Sequence, residues 1–262
     1  MSPSLLPLAA NLSMLFTEVP FLERFGRAAR AGFKLVECQF PYEVAPETLA
    51  RQLESHGLDL ILFNLSAGNW SAGERGIACH PDRLEEFRTG VDQAIAYAKV
   101  LGVKKINCLS GVKPESVSEQ IARSTLVANL RYAAKRLAEQ GIDLLLEPIN
   151  TFDVPGFFVS RTSKAVSILD EVGASNAFIQ YDVYHMQRME GELAGTLGKY
   201  INRIGHIQIA DNPGRNEPGT GEINFPFLFA HLQRVGWPGA IGCEYKPART
   251  TEEGLGWMGV PT

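Results

Sequence analysis

Residues 137–149 read LAEQGIDLLLEPI. A helical stretch closes, Gly141 follows, and an apolar run ends on Glu147. Glycine at that place suits the left-handed residue that terminates a helix, because it adopts this conformation at least cost. The run IDLLL is apolar on both parities, as expected of a strand covered on both faces. The same unit recurs along the chain. Gly32, Gly57, Gly102, Gly141, Gly173 and Gly236 stand in AGF, HGL, LGV, QGI, VGA and VGW, each between a helical stretch and an apolar run. Strands are predicted at roughly 7–13, 34–40, 58–65, 104–110, 142–149, 177–183, 204–210 and 239–245.

Between them the apolar residues repeat at helical spacing. Leu126, Leu130, Ala133 and Leu137 share one stripe within 118–140. Leu84, Phe87, Val91, Ala94, Ala98 and Leu101 share another within 82–101, and Leu193, Leu197 and Ile201 repeat it within 192–202. Pro226 fits the first turn of a helix at 226–235, and a short last helix follows Pro247. Eight alternating units predict an α/β chain folded as one (β/α)8 TIM barrel over 1–262. The rival doubly wound sheet calls for a phosphate-binding turn, and neither GxGxxG nor GxxxxGK[ST] occurs. The long connections are 66–82 and 211–224. Both follow strands, so both fall on the catalytic face of a barrel, and loops of this length serve as lids or binding segments.

The chain has 262 residues and a formal net charge of −4. That balance argues against a dedicated nucleic-acid binder, which would carry a basic stripe. No uninterrupted apolar run is long enough to cross a membrane. The start, SPSLLPLAANLSM, has no basic region and is broken by Pro7, so no signal peptide is expected. Cys38, Cys79, Cys108 and Cys243 form no CxxC pair. They read as small buried residues in a reducing cytosol, and the expected location is cytoplasmic.

Four apolar runs of the second half end on a polar group: LLLE on Glu147, FIQYD on Asp182, HIQ on Gln208 and IGCE on Glu244. Such a group at the end of a buried strand is costly unless paired. Three carboxylates on neighbouring strands would repel one another. A divalent cation resolves this, and an all-oxygen set suits a hard ion such as Mg2+ or Mn2+. The competing reading is that each acid pairs with a nearby Lys or Arg. His185, three residues past Asp182, is placed to reach a substrate oxygen. His206 shares a face with Gln208 one layer deeper, which suits a supporting role. His56, before Gly57, reads as a surface residue at a helix end, and His80 and His231 as peripheral. Arg215, Lys246 and Arg75 are candidates for a substrate carboxylate, with a solvated surface charge as the alternative for each. Trp70 either closes over the site or packs its loop.

These residues lie in stretches that closely resemble the hydroxypyruvate isomerase family of the xylose-isomerase-like TIM barrels. The stretches are ANLSMLF, GERGIACHP, KKINCLSG, LLLEPIN, QYDVYHMQRMEGEL, GHIQIADNPGRNEPGTGEIN and GCEYKP. The resemblance implies a divalent metal held by Glu147, Asp182, Gln208 and Glu244, with Glu147 and Glu244 as the proton-transfer pair. The related epimerases usually carry His at the third ligand. Gln208 follows the isomerase pattern instead. NLSMLFTEVPFLERF and TEEGLGWM look as much like the sister 2-oxo-tetronate isomerases, whereas EPIN, GERGIACHP and YHMQRMEGEL, which border the chemistry, look more like hydroxypyruvate isomerases. The implied reaction converts hydroxypyruvate to tartronate semialdehyde, with a small keto acid as the partner and no nicotinamide, flavin or pyridoxal group. A 2-oxo-tetronate isomerase, a keto-sugar epimerase, an apurinic endonuclease and a metal-holding barrel without activity are the rival readings. An endonuclease would need more clustered His ligands and a basic groove. The sequence leaves a homo-oligomer open.

Overall fold

A computed structural model describes residues 6–259. Eight parallel strands close into a barrel in simple sequence order. They are β1 Leu8–Asn11, β2 Leu35–Glu37, β3 Asp59–Asn64, β4 Lys105–Cys108, β5 Asp143–Leu146, β6 Ala177–Asp182, β7 Ile204–Ile209 and β8 Ile241–Cys243. β1 pairs with β8 through Ala9 and Gly242, which completes the ring. The fold class is therefore as the sequence predicts, a TIM barrel. Each strand is shorter than its apolar run, because the flanking residues turn into the mouth or the helices.

The helices α1 Phe21–Arg30, α2 Pro46–His56, α3 Leu84–Leu101, α4 Glu119–Ala138 and α5 Thr162–Val172 alternate with the first strands. Two helices, α6 Val183–Met189 and α7 Leu193–Tyr200, bridge β6 and β7, and α8 Phe225–Arg234 joins β7 to β8. The predicted strand 177–183 is one residue too long. The chain becomes helical at Val183, because the Asp182 carboxylate caps α6 from within the strand end and accepts from the Tyr184 N–H. The last helix, Glu252–Met258, is 3-10 rather than α. Ser118 and Asn224 cap α4 and α8 by accepting from the Ile121 and Phe227 N–H groups. All six punctuating glycines have positive φ, from 60° at Gly57 to 92° at Gly32.

All four cysteines are buried and free. Among the described residues no helix is long and apolar enough to cross a membrane. The part of the signal-peptide reading that rests on residues 1–5 lies outside the described residues.

Candidate active site

Every strand of the barrel carries a polar residue at or next to its C-terminal end. In order around the ring these are Asn11, Glu37, Asn64, Asn107, Glu147, Asp182, Gln208 and Glu244, and all eight are buried. The sequence reading covered only the last four. LAAN, LVE, LFN and KINC end in the same way, and that signal would have revealed the first four. The three Asn side chains carry no charge, and Glu37 sits in the middle of the predicted strand 34–40 rather than at its end.

Three side chains meet at the mouth of β5 and β6. Glu147, Asp182 and His185 each offer an atom within 4.8 Å of the others, and all three are buried. His185 Nε2 lies 3.5 Å from Asp182 Oδ2 and 3.9 Å from Glu147 Oε1. Glu147 accepts from Asn107 Nδ2 at 2.7 Å, and Asn107 donates also to Asn64 Oδ1. Glu244 joins this group through Arg215, whose Nη2 is 2.7 Å from Glu244 Oε2 and 3.5 Å from Asp182 Oδ2. Its other oxygen accepts from Asn11 Nδ2 and Gln39 Nε2, each at 3.1 Å. The reading that each acid pairs with a local cation is thus met for Glu244 and in part for Asp182.

Gln208 stands beside Asp182 across the β6–β7 register. Its amide is engaged at both ends. Nε2 donates to Glu37 Oε1 and Oε1 accepts from Gln180 Nε2, both at 2.6 Å. His206 Nε2 lies 2.7 Å from Glu37 Oε2, one layer below, as the parity of the strand predicts.

The carboxylates are held away from water and near one another. Burial, then the charges of Glu244 and Asp182, hold the Glu147 carboxyl well above the usual range. Burial raises Asp182 against the pull of Arg215 and of its capping N–H groups. Burial pushes Glu244 up to about 7 against the pull of Arg215, with Asp182 and Glu37 adding to the rise. Burial holds His185 well below its ordinary value, and Arg215 and Arg188 lower it further. Asp182 Oδ2 is a buried oxygen with no hydrogen-bond donor. A buried acceptor left so, among like charges, fits a cation, and the oxygen-rich donors around it fit a hard one.

Above this floor is a cavity of about 650 Å³. Glu147, His185, Glu244, Arg215, Lys246 and Arg75 all line it. Arg215 takes a left-handed backbone conformation, φ 55°, that non-glycine residues seldom adopt. Its loop is organised by Asp211, whose carboxylate accepts from the N–H groups of Asn212, Gly219, Gly221 and Ile223. Arg215 Nε has no partner. Lys246 is exposed at the rim, and its N–H donates to Arg215 O. The Arg75 guanidinium lies 4.0 Å from the Trp70 ring, and Trp70 meets Phe40 at 4.8 Å with the rings tilted by 53°, so this loop forms a cation-and-aromatic wall. His56 ends α2, and His80 Nε2 meets Val112 O.

Residues 25–259 match the family model described as xylose isomerase-like TIM barrel. The chain is 56% identical over 254 residues to hydroxypyruvate isomerase of Escherichia coli K12, covering 97% of this chain and 98% of that one. It is 46% identical over 250 residues to 2-oxo-tetronate isomerase of Cupriavidus necator, covering 95% and 96%. Among solved structures, one from Brucella melitensis described as an AP endonuclease of family 2 superposes with a TM-score of 0.95 at 44% identity, covering 97% and 98%. The 3-keto-D-glucoside 4-epimerase of E. coli shares the fold, with a TM-score of 0.80 at 22% identity.

Proposed function

Because the chain belongs to the xylose isomerase-like TIM barrel family, we propose that it is an isomerase interconverting hydroxypyruvate and tartronate semialdehyde. The observation that carries the reading is the set of buried carboxylates, Glu147, Asp182 and Glu244, linked through His185 and Arg215 at the floor of one cavity. The identity to the E. coli hydroxypyruvate isomerase supports the substrate.

Glu147, Asp182, Gln208 and Glu244 would hold a divalent cation, Mg2+ or in its place Mn2+. When bound, that ion supplies Lewis-acid polarisation of the substrate oxygens. The work of this chain's own residues is proton transfer and orientation. One glutamate of the pair Glu147 and Glu244 removes a proton from C3, giving an enediolate. The pair then returns a proton to C2, while the hydroxyl proton moves from the C3 oxygen to the C2 oxygen. Carbon, oxygen and electron counts are unchanged, so no redox cofactor enters.

His185 Nε2 would donate to an enediolate oxygen. The guanidinium of Arg215 would receive the substrate carboxylate alongside Lys246 and Arg75. The partner is then a small keto acid rather than a nucleic acid or a membrane.

A second reading has its own support. The 2-oxo-tetronate isomerase relative is 46% identical over nearly the whole chain. Turnover of hydroxypyruvate against 2-oxo-tetronates, with and without a chelator, tests both. The expected result is a higher kcat/KM for hydroxypyruvate that chelation abolishes. Faster turnover of the tetronate would reverse the assignment, and full activity after complete removal of divalent ions would reject the metal. Glu147→Gln and Glu244→Gln are each expected to lower kcat by about 10²-fold to 10⁴-fold with the fold retained. Solvent label is expected at the carbon beside the product carbonyl. An unlabelled product would mean direct hydride shift.

A further inference from the structure

Glu37 is fully buried on β2 and contributes nothing to the proton transfer proposed above. It accepts from Asn11 Nδ2 at 2.9 Å and from Gln208 Nε2 at 2.6 Å on Oε1, and pairs with His206 Nε2 at 2.7 Å on Oε2. We infer that Glu37 is a positioning residue: its carboxylate turns the Gln208 amide nitrogen inward and holds Asn11 against Glu244. Two of the four proposed metal ligands are thereby oriented by one residue across the barrel. The inference rests on the reading of Gln208 as an oxygen ligand.

The physical basis is donor and acceptor arithmetic. Glu37 Oε1 accepts, so the end of the Gln208 amide that faces it is the NH2 group. The Gln208 oxygen is therefore the end turned away from Glu37. It accepts from Gln180 Nε2, and one accepting position on it remains. A glutamine at 37 can turn either end of its own amide to Gln208, so the Gln208 amide is no longer held one way round and can present NH2, which cannot ligate a cation. Asn11 carries the same constraint to Glu244, because its Nδ2 donates to both carboxylates.

The reach from β2 to β7 passes over β1 and β8, and the sequence makes room for it. In this layer β1 offers Ala9 and β8 offers Gly242, which are register partners. A Cβ on Gly242 would collide with both carboxylate oxygens of Glu37. The glycine at this place in β8 is therefore the space that the Glu37 carboxylate fills.

The test is calorimetric titration of the metal-stripped full chain with Mn2+, with circular dichroism to establish folding. Glu37→Gln is expected to weaken Mn2+ binding by roughly 10-fold to 100-fold, as removal of a group that orients a metal ligand does. Gln208→Ala is expected to weaken it as well, and the double variant to lose less than the sum of the two single losses, the remainder passing through Asn11 to Glu244. Losses that add in the double variant would make Glu37 merely structural and overturn the inference. So would wild-type affinity in Glu37→Gln while Gln208→Ala is weakened, with the ligand assignment left standing. Wild-type affinity in Gln208→Ala would remove the ligand assignment and the inference together. If Glu37→Gln does not fold, Gly242→Ala displaces the same carboxylate with its charge retained. It is expected to weaken Mn2+ in the same way, and unchanged binding there overturns the inference.

Discussion

Asn150 decides what His185 can do. Its Oδ1 accepts from the N–H groups of Phe152 and Asp153, which pins the amide. Its Nδ2 must then face His185 Nδ1, 2.6 Å away, and that ring nitrogen must accept. The neutral ring therefore carries its proton on Nε2, the atom nearest Asp182 and Glu147. Burial keeps the ring neutral, so it acts as a hydrogen-bond donor rather than as a second cation beside Arg215. Asn150→Asp would place an acceptor at Nδ1, draw the proton there and leave Nε2 without one. The expected outcome is a kcat lower by roughly 10²-fold with KM little changed, checked by steady-state kinetics on folded protein. Asp182 shows a similar division of labour. One oxygen caps α6 and the other faces the site without a donor.

At the scale of elements, the loops after β3 and β4 are joined backbone to backbone. A Cβ on Gly76 would lie 2.5 Å from Leu109 O, and one on Gly111 would collide with Gly76 O. Both glycines also have positive φ, 113° and 95°. This contact sets where the wall of Trp70 and Arg75 stands over the cavity. Gly111→Ala is expected to raise KM several-fold by displacing that wall and to lower stability by about 1–3 kcal/mol, read by kinetics and thermal unfolding. The eight strands and most helices were legible in the sequence because each repeats one pattern of apolar run, helix stripe and glycine. The short helix α6 was not. Seven residues give little periodicity, and its start is set by a cap within the preceding strand.

At the scale of the molecule, closing the barrel puts buried carboxylates together and ties stability to pH. Glu147, Asp182 and Glu244 all have folded-state values raised above their ordinary ones. A raised carboxyl favours the folded state while it is protonated, so its contribution is full below its ordinary range and lost as pH rises through the folded value, about 7 for Glu244. The metal-stripped protein is therefore expected to melt at progressively lower temperature as pH rises from 6.5, below which the lowered His185 opposes the carboxylates, to about pH 8. A divalent cation should flatten that trend by compensating the ionised groups. A melting temperature that rises with pH in the presence of chelator would contradict the picture.

The sequence by itself determined the barrel and the four polar strand ends of its second half, because strand order and parity follow from local pattern alone. It also singled out His185, Arg215, Lys246 and Arg75, all of which reach the same cavity. Only the tertiary structure decided that Arg215 bridges Glu244 towards Asp182 and that Glu37 meets Gln208 across 171 residues of chain. Those contacts depend on ring closure, and no local stretch of residues shows which side chains the closed ring will bring together.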